Sequence, residues 1–319
     1  MGSKTVVTIG NFDGVHRGHR ELLRRARTLA GPGGRVVALV FCPHPITVLR
    51  PDRAPELLMD FPRRCETLTA CDVDHIEQLT PTAEFLSQSA QAFIEHVVER
   101  HQPDVFVEGE DFHFGRGREG NVARLAEFGQ RMGFEVEVVE PQTVDLFDQS
   151  VVVASSSLLR WLVANGRMAD AARVLGRPYE LDGIVVQGDR RGRDLGFPTA
   201  NLDTPCLLPK DGVYAGIAHL PDGRAMATAL HVGERATFND TRRTVEGYIL
   251  DWDGPLAEGT AEYGWPLRYD VLAWLRGQVG FESVPALVDQ IRHDVEETRH
   301  AVQRSERGRR TGTFASAES

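Results

Sequence analysis

The chain has 319 residues, enough for about two domains at roughly 100–200 residues each. Its 41% hydrophobic and 26% charged residues argue against wholesale disorder, and no apolar run approaches the ~20 residues of a bilayer span. Lys and Arg number 36 against 46 Asp and Glu, a net charge of -10 that disfavours a nucleic-acid or anionic-membrane surface but not a small anionic ligand in a local pocket.

In chain order, Met1-Gly2-Ser3-Lys4 leads into the strand-like run Thr5–Ile9 with no apolar signal core, so export is not expected. Gly10 ends the run, as it would end a buried parallel strand. From His19 the period changes, with Leu22, Leu23, Ala26, Leu29 and Ala30 at helical spacing up to the break at Gly31-Pro32-Gly33-Gly34. Val36–Phe41 is a second strand, closed by Pro43 and Pro45. Phe93, Ile94, Val97 and Val98 mark a helix, Val105–Val107 a strand, Val122–Phe128 a helix and Val136–Val139 a strand. This alternation predicts an α/β layer with a mostly parallel, Rossmann-like sheet, whose ligands bind beyond the carboxyl ends of the strands.

Gly10-Asn11-Phe12-Asp13-Gly14-Val15-His16-Arg17-Gly18-His19 occupies such an end. Gly10, Gly14 and Gly18 permit tight turns and close backbone approach. The following helix offers N–H groups and partial positive charge, suited to phosphate. His16 and His19, three apart, can aim two ring donors at one phosphate. A glycine-rich turn with two surface histidines is the plainer alternative. No third ligand at a suitable spacing supports zinc, and Cys42, Cys65, Cys71 and Cys206 lack paired metal-ligand spacing; they read as reduced residues of a cytoplasmic protein.

After Gly176-Arg177-Pro178 short extended runs take over: Tyr179–Gln187, Val213–Leu220, Arg224–Val232 and Thr244–Asp251. Turns such as Pro221-Asp222-Gly223 between them predict an antiparallel sandwich or barrel. A short helix near Ala169–Leu175 precedes the boundary, which divides the chain into 1–176 and 177–304. Val284, Leu287, Val288, Ile291, Val295 and Val302 mark a closing helix with Ser283 as N-cap, and 305–319 reads as a disordered tail.

The run from Gly188 to Asn201 is the second motif. Gly188, Arg191, Gly192 and Gly196, followed by Phe197, can form a flap over phosphates, and Thr199 and Asn201 project from one strand face with neutral oxygens suited to a hard cation. A basic hairpin loop is the alternative. Glu246, in Thr244–Asp251, is on pattern alone an exposed cross-strand acid.

The first motif resembles the signature of the HxGH nucleotidyltransferases, in the form found in the FMN adenylyltransferase module of bacterial bifunctional FAD synthetases. Gly109-Glu110-Asp111-Phe112-His113-Phe114-Gly115 is similar to that family's flavin-side loop. Ser155-Ser156-Ser157-Leu158-Leu159-Arg160 is similar to its second nucleotide-binding motif, with Arg160 on the first turn of a helix; Ser155 or Ser156 can also cap that helix. Phe41-Cys42-Pro43-His44-Pro45 resembles a Phe-acid-Pro-His-Pro segment, with Cys42 in place of the acid. The second motif resembles the riboflavin kinase signature ending in Pro-Thr-Ala-Asn. The resemblance implies a six-stranded antiparallel barrel, Thr199 and Asn201 near Mg²⁺, and Glu246 as the base. It further implies phosphorylation of riboflavin by ATP to FMN, then transfer of AMP from ATP to FMN, with His16, His19 and Arg160 acting on phosphate. Gly10, Phe12, Asp13, Gly14, Gly18, Asp111, Phe112, Phe114 and Ser155–Ser157 would then line the nucleotide and flavin site. Departures lie in the kinase half: Arg235 and Ala236 replace Asn and Pro of the family, and 253–263 is long. They leave open a same-shaped protein with a lost or altered kinase half. A cytidylyltransferase-like enzyme and a flavin-binding regulator are further alternatives. Oligomeric state is not legible.

Overall fold

The computed structural model describes residues 3–188, 192, 195–237, 240–252 and 261–311. The chain forms two compact units. The first takes residues 1–56, 61–143 and 153–155. The second takes 57–60, 144–152 and everything from 156.

In the first unit, β1 (Thr5–Gly10), β2 (Arg35–Phe41), β3 (His75–Leu79), β4 (Val105–Gly109) and β7 (Glu135–Val139) make one parallel sheet in the order β3-β2-β1-β4-β7. The two-residue strands β5 (His113–Phe114) and β6 (Gly120–Asn121) pair in the loop after β4. The order reverses between β1 and β4, which is where such sheets bind ligands. Between the strands run α1 (Arg17–Ala30), the one-turn α2 (Ile46–Leu49), α3 (Phe61–Thr69), the one-turn α4 (Ala83–Leu86), α5 (Ala90–His101) and α6 (Val122–Met132). α1 turns Leu23, Ala26 and Ala30 inward. One sheet face carries Val7, Ile9, Val37, Leu39 and Phe106, packed against Phe93, Ile94, Leu125 and Phe128 of α5 and α6. α1 starts at Arg17, not His19, because His16 supplies its extended N-cap. β3 has no counterpart among the predicted strands: only Leu79 of its five residues is fully buried, as suits an edge strand.

The second unit contains β8 (Thr143–Asp145) and β9 (Val151–Val153) in part, α7 (Ser156–Ala164) and α8 (Met168–Leu175), followed by the barrel. α7 and α8 therefore pack with the barrel unit, ahead of residue 177. The barrel is closed and antiparallel: β10 (Tyr179–Val186), β11 (Thr199–Asp203), β14 (Asp240–Ile249), β13 (Ala225–Thr237), β12 (Gly212–His219) and β15 (Pro266–Arg276), in that order. Its interior holds Tyr179, Tyr214 and Tyr269, all buried. The Tyr179 hydroxyl donates to the Leu207 carbonyl at 2.9 Å and that of Tyr269 to Ala200 at 3.0 Å, which satisfies both buried phenols. α9 (Val284–Thr311) packs on β12, β13 and β15. Ser283 Oγ accepts from the Ala286 N–H at 3.4 Å, and Arg276 grips Asp294 with Nη2 at 2.7 Å and Nε at 2.9 Å. α9 continues to Thr311, so the expected disordered tail does not begin at 305; a docked helix extends at little cost once nucleated. Residues 312–319 lie outside the described residues.

Candidate active sites

The turn from β1 to α1 is held in a costly conformation. Phe12 and Val15 adopt positive φ (49° and 40°) and Gly14 81°. For a β-branched valine this is a genuine outlier, and it persists only where the surroundings impose it. Those surroundings include Arg64 of α3, only 3% exposed. Its Nη1 donates to the Asn11 carbonyl at 2.8 Å and lies 3.4 Å from that of Phe41, at the end of β2. Its Nη2 stands 3.4 Å from Asp13 Oδ1, itself buried. The guanidinium thus ties the turn to the carboxyl end of the neighbouring strand.

On this turn the rings of His16 and His19 stack, centroids 3.7 Å apart and planes 24° from parallel. Phe12 supports His19 from the side at 5.2 Å. Burial, then the adjacent His16 and Arg64, hold His19 well below the usual histidine range, so its ring is neutral at neutral pH with one N–H to donate. His19 Nδ1 and Asn11 Oδ1 are buried with no hydrogen-bond partner among the described residues, as expected where a polar ligand completes the set. Space at Gly18 is tight: a Cβ there would stand 3.2 Å from His16 Cε1 and Nδ1 and 3.4 Å from the Ala154 carbonyl. The N-terminus of α1 and two imidazoles therefore converge beyond the end of β1, an arrangement suited to phosphate.

The loop after β4 is anchored at several points. Phe112 N–H closes a turn onto the Gly109 carbonyl at 3.0 Å, and Glu119 Oε1 accepts from the first N–H of α5, that of Ala90, at 2.7 Å. Phe114 is buried in the core, and Phe112 stacks on it at 5.2 Å with part of its ring accessible. Asp111 is exposed. Of the residues assigned to ligand contact, Phe12, Asp13 and Phe114 are buried, while Phe112 and Asp111 keep accessible surface. Ser155 closes the first unit; Ser156, Ser157 and Arg160 belong to α7 of the second, Ser157 exposed and Arg160 half-buried. Cys42 carries the backbone: its N–H donates to Leu79 at 3.0 Å and its carbonyl accepts from Gln78 Nε2 at 3.0 Å.

In the barrel, pairing of β11 with β14 sets Asn201 opposite Glu246 and Thr199 opposite Tyr248. Alternation places Thr199, Asn201 and Glu246 on one face, opposite the interior side chains Ala200, Leu202 and Val245. Thr199 Oγ1 donates to Glu246 Oε2 at 3.2 Å. Asn201 is 6% exposed. Gly247 leaves room behind Glu246 for the Tyr269 hydroxyl, which bonds Ala200 and so locks β11 beside β14. Phe197 meets Tyr248 edge-on at 5.2 Å. Gly192 accepts from the N–H of Phe197 at 2.7 Å, and Gly196 has φ 85°. Gly188 lies two residues past the end of β10. Arg191, the side chains of Arg235 and Ala236, and residues 253–260 lie outside the described residues.

Residues 2–155 match the FAD synthetase family and residues 175–302 the riboflavin kinase family. A Listeria monocytogenes protein named bifunctional riboflavin kinase/FMN adenylyltransferase is 32% identical over 299 residues, covering 92% of this chain and 91% of its own. One of the same name from Escherichia coli strain K12 is 33% identical, covering 91% and 90%. The chain belongs to the bifunctional riboflavin kinase/FMN adenylyltransferase family. A solved Streptococcus pneumoniae structure, described as a macrolide-efflux protein, shares the fold with TM-score 0.81 and 29% identity over 94% of this chain and 95% of its own. No helix among the described residues is long and apolar enough to cross a membrane. The His16–His19 turn falls within the FAD synthetase match, and Thr199, Asn201 and Glu246 within the riboflavin kinase match. Two residues bonded to the β1–α1 segment, Arg64 through the Asn11 carbonyl and Glu108 through the Ile9 N–H, have no place in either motif. The available signal for Arg64 is a charged residue on the buried stripe Arg64, Thr67, Leu68 of α3. For Glu108 it is an acid ending the apolar run of β4.

Proposed function

We propose that this family member makes FAD in two steps at two sites, phosphorylating riboflavin on the barrel and adenylylating FMN at the His16–His19 turn. The observation that carries the reading is the stacked imidazole pair, one ring held neutral, at the N-terminus of α1 and at the reversal point of the sheet. In the adenylyl step a phosphate oxygen of FMN attacks the α-phosphorus of ATP, and the bond to the β-phosphate oxygen breaks to release pyrophosphate. No protein nucleophile is required. His16 and His19 donate to phosphate oxygens whose charge grows in the transition state, and preorganised donors act without reorganisation cost. Arg160 adds a phosphate contact on the strength of the similarity of Ser155–Arg160 to a nucleotide-binding motif. Gly10, Gly14 and Gly18 let the backbone approach the nucleotide, and Asp111 and Phe112 border the flavin.

In the kinase step Glu246 accepts the proton of the ribityl hydroxyl as that oxygen takes the γ-phosphoryl group of ATP. The Thr199 hydroxyl orients the carboxylate while its oxygen lone pairs stay available. Thr199 and Asn201 are neutral hard-oxygen donors on one face, which fits Mg²⁺. Bound there, Mg²⁺ would neutralise phosphate charge. The loop bearing Gly188, Arg191, Gly192, Gly196 and Phe197 covers the phosphates in this reading. The matched spans, 2–155 and 175–302, support adenylyl transfer in the N-terminal part and the kinase in the C-terminal part, with α7 and most of α8 between them, and ATP as donor in both steps supports a cytoplasmic setting. The test is chromatography of products from riboflavin, ATP and Mg²⁺. Both FMN and FAD should form; FAD from supplied FMN without any FMN from riboflavin would confine the chain to adenylyl transfer.

A further inference from the structure

β1 and β4 are paired only at Val6 with Val105 and Val7 with Phe106, although β1 continues to Gly10 and β4 to Gly109. Beyond that point the strands part, and this is the reversal point of the sheet. The Ile9 N–H, left without a strand carbonyl, donates instead to Glu108 Oε1 at 2.8 Å. Glu108 is 2% exposed and shares its strand face with Phe106. Its second oxygen has no hydrogen-bond partner among the described residues. Gly10 and the strained turn bearing His16 and His19 follow Ile9 directly.

We propose that Glu108 is a positioning residue of adenylyl transfer: its side chain bridges the parting of β1 and β4, holds the Ile9 N–H, and so fixes the origin of the His16–His19 turn. Its surroundings favour the uncharged acid. Burial pushes its carboxyl well above the usual range and the nearby Asp111 charge adds to this, while the Ile9 N–H opposes them. Asp111, in the turn after β4, is the charged group that bears on it. From β1 it meets a backbone N–H, and the helices packed on its face contribute the apolar Phe93, Ile94, Leu125 and Phe128. Ionisation would place a buried negative charge beside the origin of the turn on which, in this reading, a triphosphate and a flavin phosphate meet. Because the folded pKa is raised, the associated stability is complete below the unfolded value of 4.5 and is lost as pH rises through the folded value.

This inference rests on the His16–His19 turn being the adenylyl site, and the experiment separates the two. The full chain and its variants E108A and E108Q are assayed for FAD formation from FMN and for FMN formation from riboflavin across pH, with H19A alongside. E108A should lose on the order of tenfold in kcat for adenylyl transfer, as for a buried N–H stripped of its acceptor, with kinase activity retained. E108Q should recover most of that loss, since its amide oxygen accepts from Ile9. Wild type should fall at alkaline pH relative to E108Q in adenylyl transfer only. A carboxylic-acid carbonyl band present at neutral pH in the infrared spectrum of wild type should vanish in E108Q. Superimposable pH profiles for wild type and E108Q, or an E108A enzyme with wild-type kcat, would overturn the proposal even if E108A folds poorly in other respects. An unimpaired H19A would instead overturn the site beneath it.

Discussion

The two sites are held in place by different means. At the β1–α1 turn the geometry is held by a few single contacts: Arg64 of α3 on Asn11, Phe12 beside His19, and Glu108 on the Ile9 N–H. Strain at Val15 and depressed basicity at His19 are both maintained by burial. On the barrel, Thr199, Asn201 and Glu246 are aligned by the register of β11 and β14, with many ladder bonds sharing the task. A strained turn held by single anchors should fail when one is removed, whereas a strand face should lose little beyond the side chain deleted.

That contrast can be broken at either end. The largest expected effect is from Glu246→Ala: FMN formation from riboflavin should drop about 10²–10⁴-fold for loss of a general base. FAD formation from supplied FMN should be unaffected, and a parallel loss of both in folded protein would refute separate sites. His19→Ala should lower FAD formation from FMN by about 10²–10³-fold, the usual cost of one transition-state donor, while riboflavin is still phosphorylated. Arg64→Lys keeps the charge but not the fork that reaches both Asn11 and Asp13. Denaturant titration should show the first unit less stable by about 1–3 kcal/mol, with adenylyl transfer impaired and kinase activity spared.

The smallest effect sharpens the role of His19. Its folded pKa lies below the reference 6.5, so between that value and the lower folded one the unfolded chain binds a proton that the folded chain does not. Stability of the first unit should therefore fall as pH drops below about 6.5, through the window down to the folded pKa. Adenylyl transfer should hold its rate below the ordinary histidine range, and a rate profile breaking at an unperturbed histidine value would contradict a neutral, buried ring.

What was legible in the sequence was local. His16 and His19 with their glycines, and Thr199 with Asn201, reveal themselves by spacing within a few residues, and the β-α alternation of Thr5–Ala30 follows from a change of period. What was not legible depends on distant pairing. Nothing near Arg64 or Glu108 announces Asn11 or Ile9 as partner, since these lie 53 and 99 residues away. β15 has no clear signal in the sequence, because its pairing with β12 shifts register at Val213/Tyr214 and Ala215/Gly216, which blurs the two-residue period. β3 hid as a mostly polar edge strand. Phe114 is placed in the flavin-side loop by resemblance alone, and no local spacing announces that its ring packs into the core cluster.

The central claim, two independent chemistries on one chain, is tested most directly by mixing. H19A and E246A proteins are each given riboflavin, ATP and Mg²⁺, alone and combined, and FAD is followed by chromatography. Separately, the first should stop at FMN and the second should make neither product; together they should make FAD, as FMN released by one serves the other. A mixture that accumulates FMN without FAD, or yields nothing from two folded proteins, would contradict the account.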